Sequence, residues 1–369
     1  MTGSTNPINT QKPGKAPRIL FFYPVSSTFI QTDIGLLSGR YEVLTFGLNL
    51  PAKFFLPLRL LAQLVFLIRY GRSAAAFVCF FAGYSSLLPA LIGKWLGKPC
   101  LIIVAGTDAA CFPSIGYGNY ARTLLSRATS ASLRRASAIL PVHESLVAQH
   151  YDYDESGWPA QGFSVFARGT EEVPAYPVYF GYDSALFRPA PGVHPEPGTF
   201  ISVGDMSMPT LFRRKGFDLI AAFAALRPDL KFTLVGWDGK SRVDVPSNVR
   251  LLPFMPQEEL VLNMSAHEYY FQLSLMEGFP NALAEAMLCG CIPIGSSVSA
   301  IPFMIGTSGY VLRRRNVDEL AALVEKALAD PRRKNLPQAA RKRIARMFTL
   351  EKRSEGLFKA IELAMAMSK

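Results

Sequence analysis

One pattern is written twice in this chain. Short, wholly apolar runs alternate with helical patterns; the alternation stops once and then starts again. In the first half the apolar runs are ARILFFYP, YEVLTFG, AFVCFF, KPCLIIVAG, ASAILPVH and VPAYPVYFG, with helical patterns between them, one over Asn119 to Arg135. Apolar strands alternating with helices imply a parallel, doubly wound sheet. The stretch Pro189 to Gly198, PAPGVHPEPG, is dense in proline and glycine and reads as a connection between domains. After it come TFISVG, GFDLIAAFAAL, KFTLVG, NVRLLPF, EELVLNMSAH, YYFQLS, NALAEAMLCG, CIPIGSS and VDELAALVEKALAD, again strands alternating with helices.

The expected organisation is therefore a polar tail at 1–17, a Rossmann-like domain at 18–190, a linker at 191–198, a second Rossmann-like domain at 199–345, and a helix over 346–369 able to return to the first domain. A length of 369 residues suits two cores better than one. Open parallel sheets bind ligands at the carboxyl ends of their strands, and two such domains facing each other enclose a cleft.

Charge narrows the partners. The net charge of +11 favours anionic ones. No helix-turn-helix, zinc-finger or aromatic RNA-binding signature accompanies it, so nucleic acid is not expected. The basic run Arg332, Arg333, Lys334, Arg341, Lys342, Arg343 and Arg346 reads as a solvated helix face. The five cysteines have neither zinc nor disulfide-framework spacing and are expected to be reduced and mostly buried. The tail lacks the apolar core of a signal peptide, and the expected compartment is the cytoplasm. Ala74 to Ile92 carries no charge but is interrupted by Gly83, Ser85, Ser86 and Pro89, and reads as strand, loop and helix. Phe54 to Ile68 is apolar nearly all round, with Arg59, Gln63 and Tyr70 on one narrow stripe and basic flanks. Such a helix is either buried in the core or laid against an anionic membrane as a peripheral anchor.

Three segments carry chemistry. In SLMEGFPNALAEAMLCGCIPIGSS a strand ends near Ser274, a turn holds Glu277, Gly278 and Phe279, and Pro280 opens a helix. The free N–H groups of that first turn can bind sugar hydroxyls or phosphate oxygens. Glu285 lies one turn beyond Asn281 on the same face and could accept both hydroxyls of a ribose; an ordinary amphipathic helix has the same spacing. In SVGDMSMPTLFRRKGFDLIAAFAAL, Lys215 stands just before a helix, where a lysine can meet a diphosphate. In VAGTDAACFPSIGYGNYARTLL, Asp108 follows a strand end and either contacts donor or acceptor or forms the turn. Asp152 and Asp154 spell D-x-D in a polar loop and read as a solvated turn, and no metal site is expected.

The pair of glutamates in EGFPNALAEAM resembles the signature of family 4 of the retaining glycosyltransferases, whose fold is GT-B: α/β, two facing Rossmann-like, doubly wound domains with a cleft between them. LLPFMPQEEL and FGYDSALFRP resemble the family's base-contacting loop and the segment leaving its N-terminal domain. The resemblance implies a metal-independent transferase moving sugar from a nucleotide-sugar donor, with no other cofactor, to a sugar or lipid-linked acceptor in glycan or polysaccharide biosynthesis. It implies that Glu277 and the backbone of Gly278, Phe279, Asn281 and Ala282 hold the donor sugar, that Glu285 holds the ribose, that Lys215 meets the diphosphate and that Arg214 and Gly236 bind the donor too; Glu277, Lys215 and Asp108 are the catalytic candidates. Asp205 departs from the family, which has arginine there; Arg213 or Arg214 is the candidate compensation. The alternatives are another GT-B reaction, epimerisation or phosphorolysis, and a non-catalytic relative that binds a membrane or a partner.

Overall fold

The computed structural model describes residues 16–50 and 52–368. The tail expected at 1–17 lies outside them, apart from its last two residues. The N-terminal half runs β1 (Arg18–Tyr23), α1 (Thr28–Ser38), β2 (Glu42–Gly47), α2 (Leu56–Tyr70), β3 (Ala76–Phe80), α3 (Tyr84–Leu96), β4 (Cys100–Val104), α4 (Thr123–Leu133) and β5 (Ala138–Pro141). A two-residue ladder of β6 (Gln149–His150) with β7 (Ala160–Gln161) and the short α5 (Phe163–Phe166) follow. The sheet is parallel, in the order β2-β1-β3-β4-β5. Every residue of β3 and β4 is buried, as strands covered on both faces must be. Phe21, Phe22, Phe77 and Phe80 are fully buried in this sheet, and each such side chain contributes about 1.5–3 kcal/mol relative to exposure.

The segment VPAYPVYFG, expected as a sixth strand, runs beside β5 without becoming one. Tyr176 N–H donates to Ile139 and Val178 N–H to Pro141, both at 2.9 Å. Pro174 and Pro177 lack the N–H groups a regular ladder needs, so the pairing stays at an edge.

The C-terminal half runs β8 (Glu196–Val203), α6 (Pro209–Arg214), α7 (Phe217–Leu226), β9 (Lys231–Trp237), β10 (Val249–Pro253), α8 (Gln257–Ser265), β11 (His267–Gln272), α9 (Asn281–Leu288), β12 (Ile292–Ser296), α10 (Ile301–Ile305), β13 (Tyr310–Leu312), α11 (Val317–Ala329), α12 (Leu336–Met347) and α13 (Leu350–Met367). Its six strands are parallel in the order β10-β9-β8-β11-β12-β13. The order reverses between β8 and β11, which opens a crevice at their carboxyl ends.

Two stretches of chain join the halves side by side. Tyr182 N–H, on the way out, donates to the Phe348 carbonyl, on the way back, at 2.9 Å. Helix α13 then lies on the N-terminal domain, where Phe358 meets Tyr41 with ring centroids 5.9 Å apart. The buried Arg353 guanidinium grips buried Asp33 of α1 through both carboxylate oxygens, and its face covers the Phe180 ring at 4.9 Å.

The basic run is not simply a solvated face. Arg341 donates to the carbonyls of Ser184 and Phe187, and Arg343 to those of Phe303 and Met304. These arginines satisfy backbone acceptors at chain turns, where a planar fork reaches two at once. Asp154 likewise is half-buried; it accepts from Ser156 N–H and faces Arg315 of the other domain at 3.7 Å. All five cysteines are free and buried. Among the described residues no helix is long and apolar enough to cross a membrane.

Candidate active site

The crevice between β8 and β11 is where the first two chemical motifs meet. After β8 the chain passes Gly204 and Asp205 and climbs α6 to Arg214 and Lys215; after β11 it turns through Glu277–Pro280 into α9. Lys215 Nζ lies 2.6 Å from Glu277 Oε1. Ser274 Oγ, at 2.8 Å, and Gln272 Nε2, at 3.4 Å, donate to the same oxygen. Burial alone would raise the Glu277 carboxyl, but Lys215 and Arg214 beside it outweigh that and hold it below its ordinary value. Burial pulls Lys215 down, against the attraction of Glu277 and together with repulsion from Arg214. The site is thus a desolvated cation–carboxylate pair with a second cation alongside. Arg214 lies over the Tyr117 ring at 4.8 Å, which brings the N-terminal domain's GTDAACFPSIGYG segment to this cluster. Asp205 Oδ1 accepts from Ser207 N–H at 2.8 Å, and its charge favours the protonated form of Lys215 nearby.

The stem of Lys215 crosses Gly204, where a Cβ would stand 2.9 Å from its Cγ. Behind Gly204 lies Gly236, with φ of 115° and no room for a side chain, since a Cβ would be 2.0 Å from the Gly204 carbonyl oxygen. Gly236 therefore shapes the floor under Lys215 by staying small.

Opposite, the two domains touch backbone to backbone. A Cβ on Gly278 would stand 1.9 Å from the Ala105 carbonyl oxygen. The loop that Gly278 meets is held by Asp108, which is fully buried. Its Oδ2 accepts from Ala82 N–H at 2.9 Å, and Oδ1 from Ala105 and Gly106 N–H at 3.0 Å each. Burial raises its pKa to about 6, against the pull of those N–H groups. This corrects the expectation of direct contact with a substrate. A carboxylate with no exposure and both oxygens engaged has no face left for a sugar, so Asp108 is a positioning residue for the loop.

A Gly278→Ala variant is expected to push the two domains apart at this contact, since its Cβ would stand 1.9 Å from the Ala105 carbonyl oxygen, and to lower the melting temperature; an unchanged melting temperature would show that this close approach is dispensable.

Two cavities lie along the cleft. One of about 250 Å³ is lined by Lys215, Glu277, Gly278, Phe279, Asn281 and Ala282, closed from the other domain by Phe29, Phe81, Ala105 and Phe180. The next, of about 550 Å³, contains Glu285 together with Ser27, Thr28, Met255 and Gln257. Asn281 Oδ1 accepts from Tyr182 Oη at 2.9 Å, on the border between them. Burial raises the Glu285 carboxyl to about 7.

Phe279 places its backbone at the first cavity, but its ring belongs to an aromatic cluster with Tyr179, Phe348 and His143 that glues the domains. Ser274, Gln272, Tyr117 and the phenylalanines of the N-terminal domain were not singled out from the sequence. Ser274 and Tyr117 lie inside the motifs and carried a signal; Phe29, Phe81 and Phe180 look like any core residues until the domains face each other.

Two parallel α/β domains closing over a cation–carboxylate pair, at the reversal point of the second sheet, constitute the GT-B architecture. Residues 194–343, the C-terminal half, match the model of the family glycosyl transferases group 1. The chain is similar to one component of the phosphatidylinositol N-acetylglucosaminyltransferase of Arabidopsis thaliana, 25% identical over 179 residues, 45% of this chain and 39% of the relative. It is similar to O-antigen chain mannosyltransferase B of Escherichia coli, 29% identical over 103 residues, 28% of this chain and 27% of the relative. The aligned segments thus span well under half of these relatives. Among solved structures, sucrose-phosphate synthase of Thermosynechococcus elongatus superposes with a TM-score of 0.70 at 17% identity, covering 96% of this chain and all of that one. Anabaena HepE in complex with UDP-glucose superposes with a TM-score of 0.66 at 15% identity, covering 94% and 99%. These likenesses concern the fold.

Proposed function

We propose that this chain is a glycosyltransferase that moves a hexose from a nucleoside-diphosphate sugar to a hydroxyl acceptor, without a metal and with retention, in glycan or polysaccharide assembly. The observation that carries the reading is the Lys215–Glu277 pair facing the start of α9 across one small cavity. The family model that the C-terminal half matches and the names of the relatives support it.

In this reading the acceptor oxygen bonds to the anomeric carbon as the bond from that carbon to the diphosphate breaks. The electron pair leaves with the diphosphate, which takes the acceptor's proton. Lys215 and Arg214, with the N–H groups that open α9, stabilise the charge growing on the leaving phosphate, as preorganised dipoles and cations do. Glu277 holds Lys215 and the sugar hydroxyls, Ser274 and Gln272 hold Glu277, and attack comes from the face the diphosphate leaves. The free, buried cysteines support the cytoplasm as the compartment.

In this reading Glu285 meets the ribose, and the same cavity, lined by Met255 and Gln257 of the loop after β10, takes the base. Titration calorimetry with UDP, GDP and ADP tests this, and one of them should bind clearly best. Glu285→Ala should weaken that binding by about 1.5–3 kcal/mol, the range for hydrogen bonds to a charged group. Its carboxyl titrates near 7, and ribose hydroxyls need the anion as acceptor. Affinity should therefore fall up to about tenfold per unit as pH drops below 7. Stability moves the opposite way. A raised pKa means the neutral form is favoured in the fold, so the folded state is relatively more stable at low pH and loses that advantage as pH rises through 7. An unchanged affinity in Glu285→Ala, or none for any nucleotide, would overturn the donor assignment.

A further inference from the structure

Helix α2 is built inside out for a helix at a protein surface. Its two mid-helix polar side chains face the protein: Arg59 donates to the Gly47 and Leu48 carbonyls at 2.6 and 2.7 Å, and fully buried Gln63 donates to Ser85 at 2.8 Å. Its outward face consists of Leu58, Leu61, Val65 and Ile68, all more than half exposed. Trp95 of α3, at 75% exposure, and Leu124 of α4, at 69%, are bare as well. A water-facing helix carries the reverse pattern, and a contiguous apolar stripe marks an interaction surface.

Charge says what the stripe meets. Between Glu42 and Glu144 the only acid is the buried Asp108, while the same stretch carries ten lysines and arginines. Exposed Arg69 and Arg72 close the end of α2, and exposed Lys94 adjoins Trp95. An apolar stripe with a basic border and no acid complements an anionic bilayer surface.

A cavity of about 850 Å³ opens beside this face, walled by Leu48, Leu50, Leu56, Leu124 and Leu125. Leu56 belongs to α2 and Leu124 to the exposed face. Phe81 lines this cavity and also the small cavity of Lys215 and Glu277. The leucines form an apolar wall that suits a hydrocarbon chain, while Tyr84, Thr107, Asn119 and Arg122 line the rest of the same space and suit a polar group.

We propose that the α2–α3–α4 face docks on an anionic lipid bilayer and that the adjoining cavity takes the hydrocarbon chain of a membrane-held acceptor, whose polar end reaches the donor through the gap at Phe81. The acceptor half of this inference rests on the glycosyltransferase reading; the docking half stands on the surface alone.

The test is flotation of the full chain with vesicles of 70% phosphatidylcholine and 30% phosphatidylglycerol, against phosphatidylcholine alone. The wild type should float with the anionic vesicles and be released by salt. Leu61→Glu/Val65→Glu should partition at least tenfold less, with melting temperature and nucleotide affinity unchanged. Arg69→Glu/Arg72→Glu leaves the stripe intact and should weaken binding through charge alone, which keeps the test valid if the first variant fails to fold. The cavity is probed with 11-(dansylamino)undecanoic acid, whose fluorescence should rise on binding to wild type and require tenfold more protein with Leu124→Glu. Failure of the wild type to float, equal binding to neutral vesicles, or a dimer broken by the same substitutions would overturn docking. Absence of probe binding would overturn the acceptor half. Loss of nucleotide binding with flotation intact would instead strike the donor reading.

Discussion

Replacing Lys215 with alanine is expected to reduce turnover by two to three orders of magnitude, the cost of removing one preorganised donor from a developing oxyanion. The variant loses the charge that meets the leaving diphosphate, and it leaves Glu277 buried without the partner at 2.6 Å. Repulsion between Glu277 and the donor phosphates then adds to the loss. Lys215→Arg should recover only part of the rate, because the guanidinium cannot follow the same path across Gly204. Melting temperature should fall as well, since only Arg214, Ser274 and Gln272 then remain beside the buried Glu277 carboxylate, so turnover is compared at a temperature where the variant stays folded. Steady-state release of nucleoside diphosphate from the donor identified by calorimetry measures the effect. Turnover at the wild-type level would remove Lys215 from the site.

Arg353→Ala should destabilise the protein by about 3–5 kcal/mol, as breaking a buried ion pair from one side does. Asp33 would be left as an uncompensated buried anion, the Val178 carbonyl would lose its donor, and the Phe180 ring its cation. The double variant Asp33→Leu/Arg353→Met should be markedly less destabilised than the single one, because neither apolar side chain strands a charge. Thermal or urea unfolding followed by fluorescence reads both. A single variant within about 1 kcal/mol of wild type would mean that α13 is held by its apolar contacts alone.

The alternation of strands and helices was readable because a strand covered on both faces must be apolar throughout, as AFVCFF and KPCLIIVAG are. The second motif and the glutamate pair were readable because their residues lie close in sequence, at ends of strands and starts of helices whose geometry is local. The resemblance of EGFPNALAEAM to a known signature supplied roles that spacing did not.

What depends on a distant partner was not readable. Asp108 has the look of a site carboxylate, and only its three backbone donors, one of them on Ala82 just past the end of β3, make it a loop clamp. Arg341 and Arg343 look like solvent charges in a basic helix, and Arg353 carried no signal at all, yet each ends on a carbonyl or carboxylate far away in the chain. The polar stripe of α2 was visible in the sequence, but its direction was not. Which face of a helix turns inward depends on what its neighbours offer; here the free carbonyls of Gly47, Leu48 and Ser85 drew Arg59 and Gln63 inward and left the leucines outside. Local pattern determined the elements and the motifs they carry, because backbone periodicity and strand-end geometry act over a few residues. Tertiary structure decided burial, partner and direction, because desolvation and hydrogen bonding are settled only by what packs alongside.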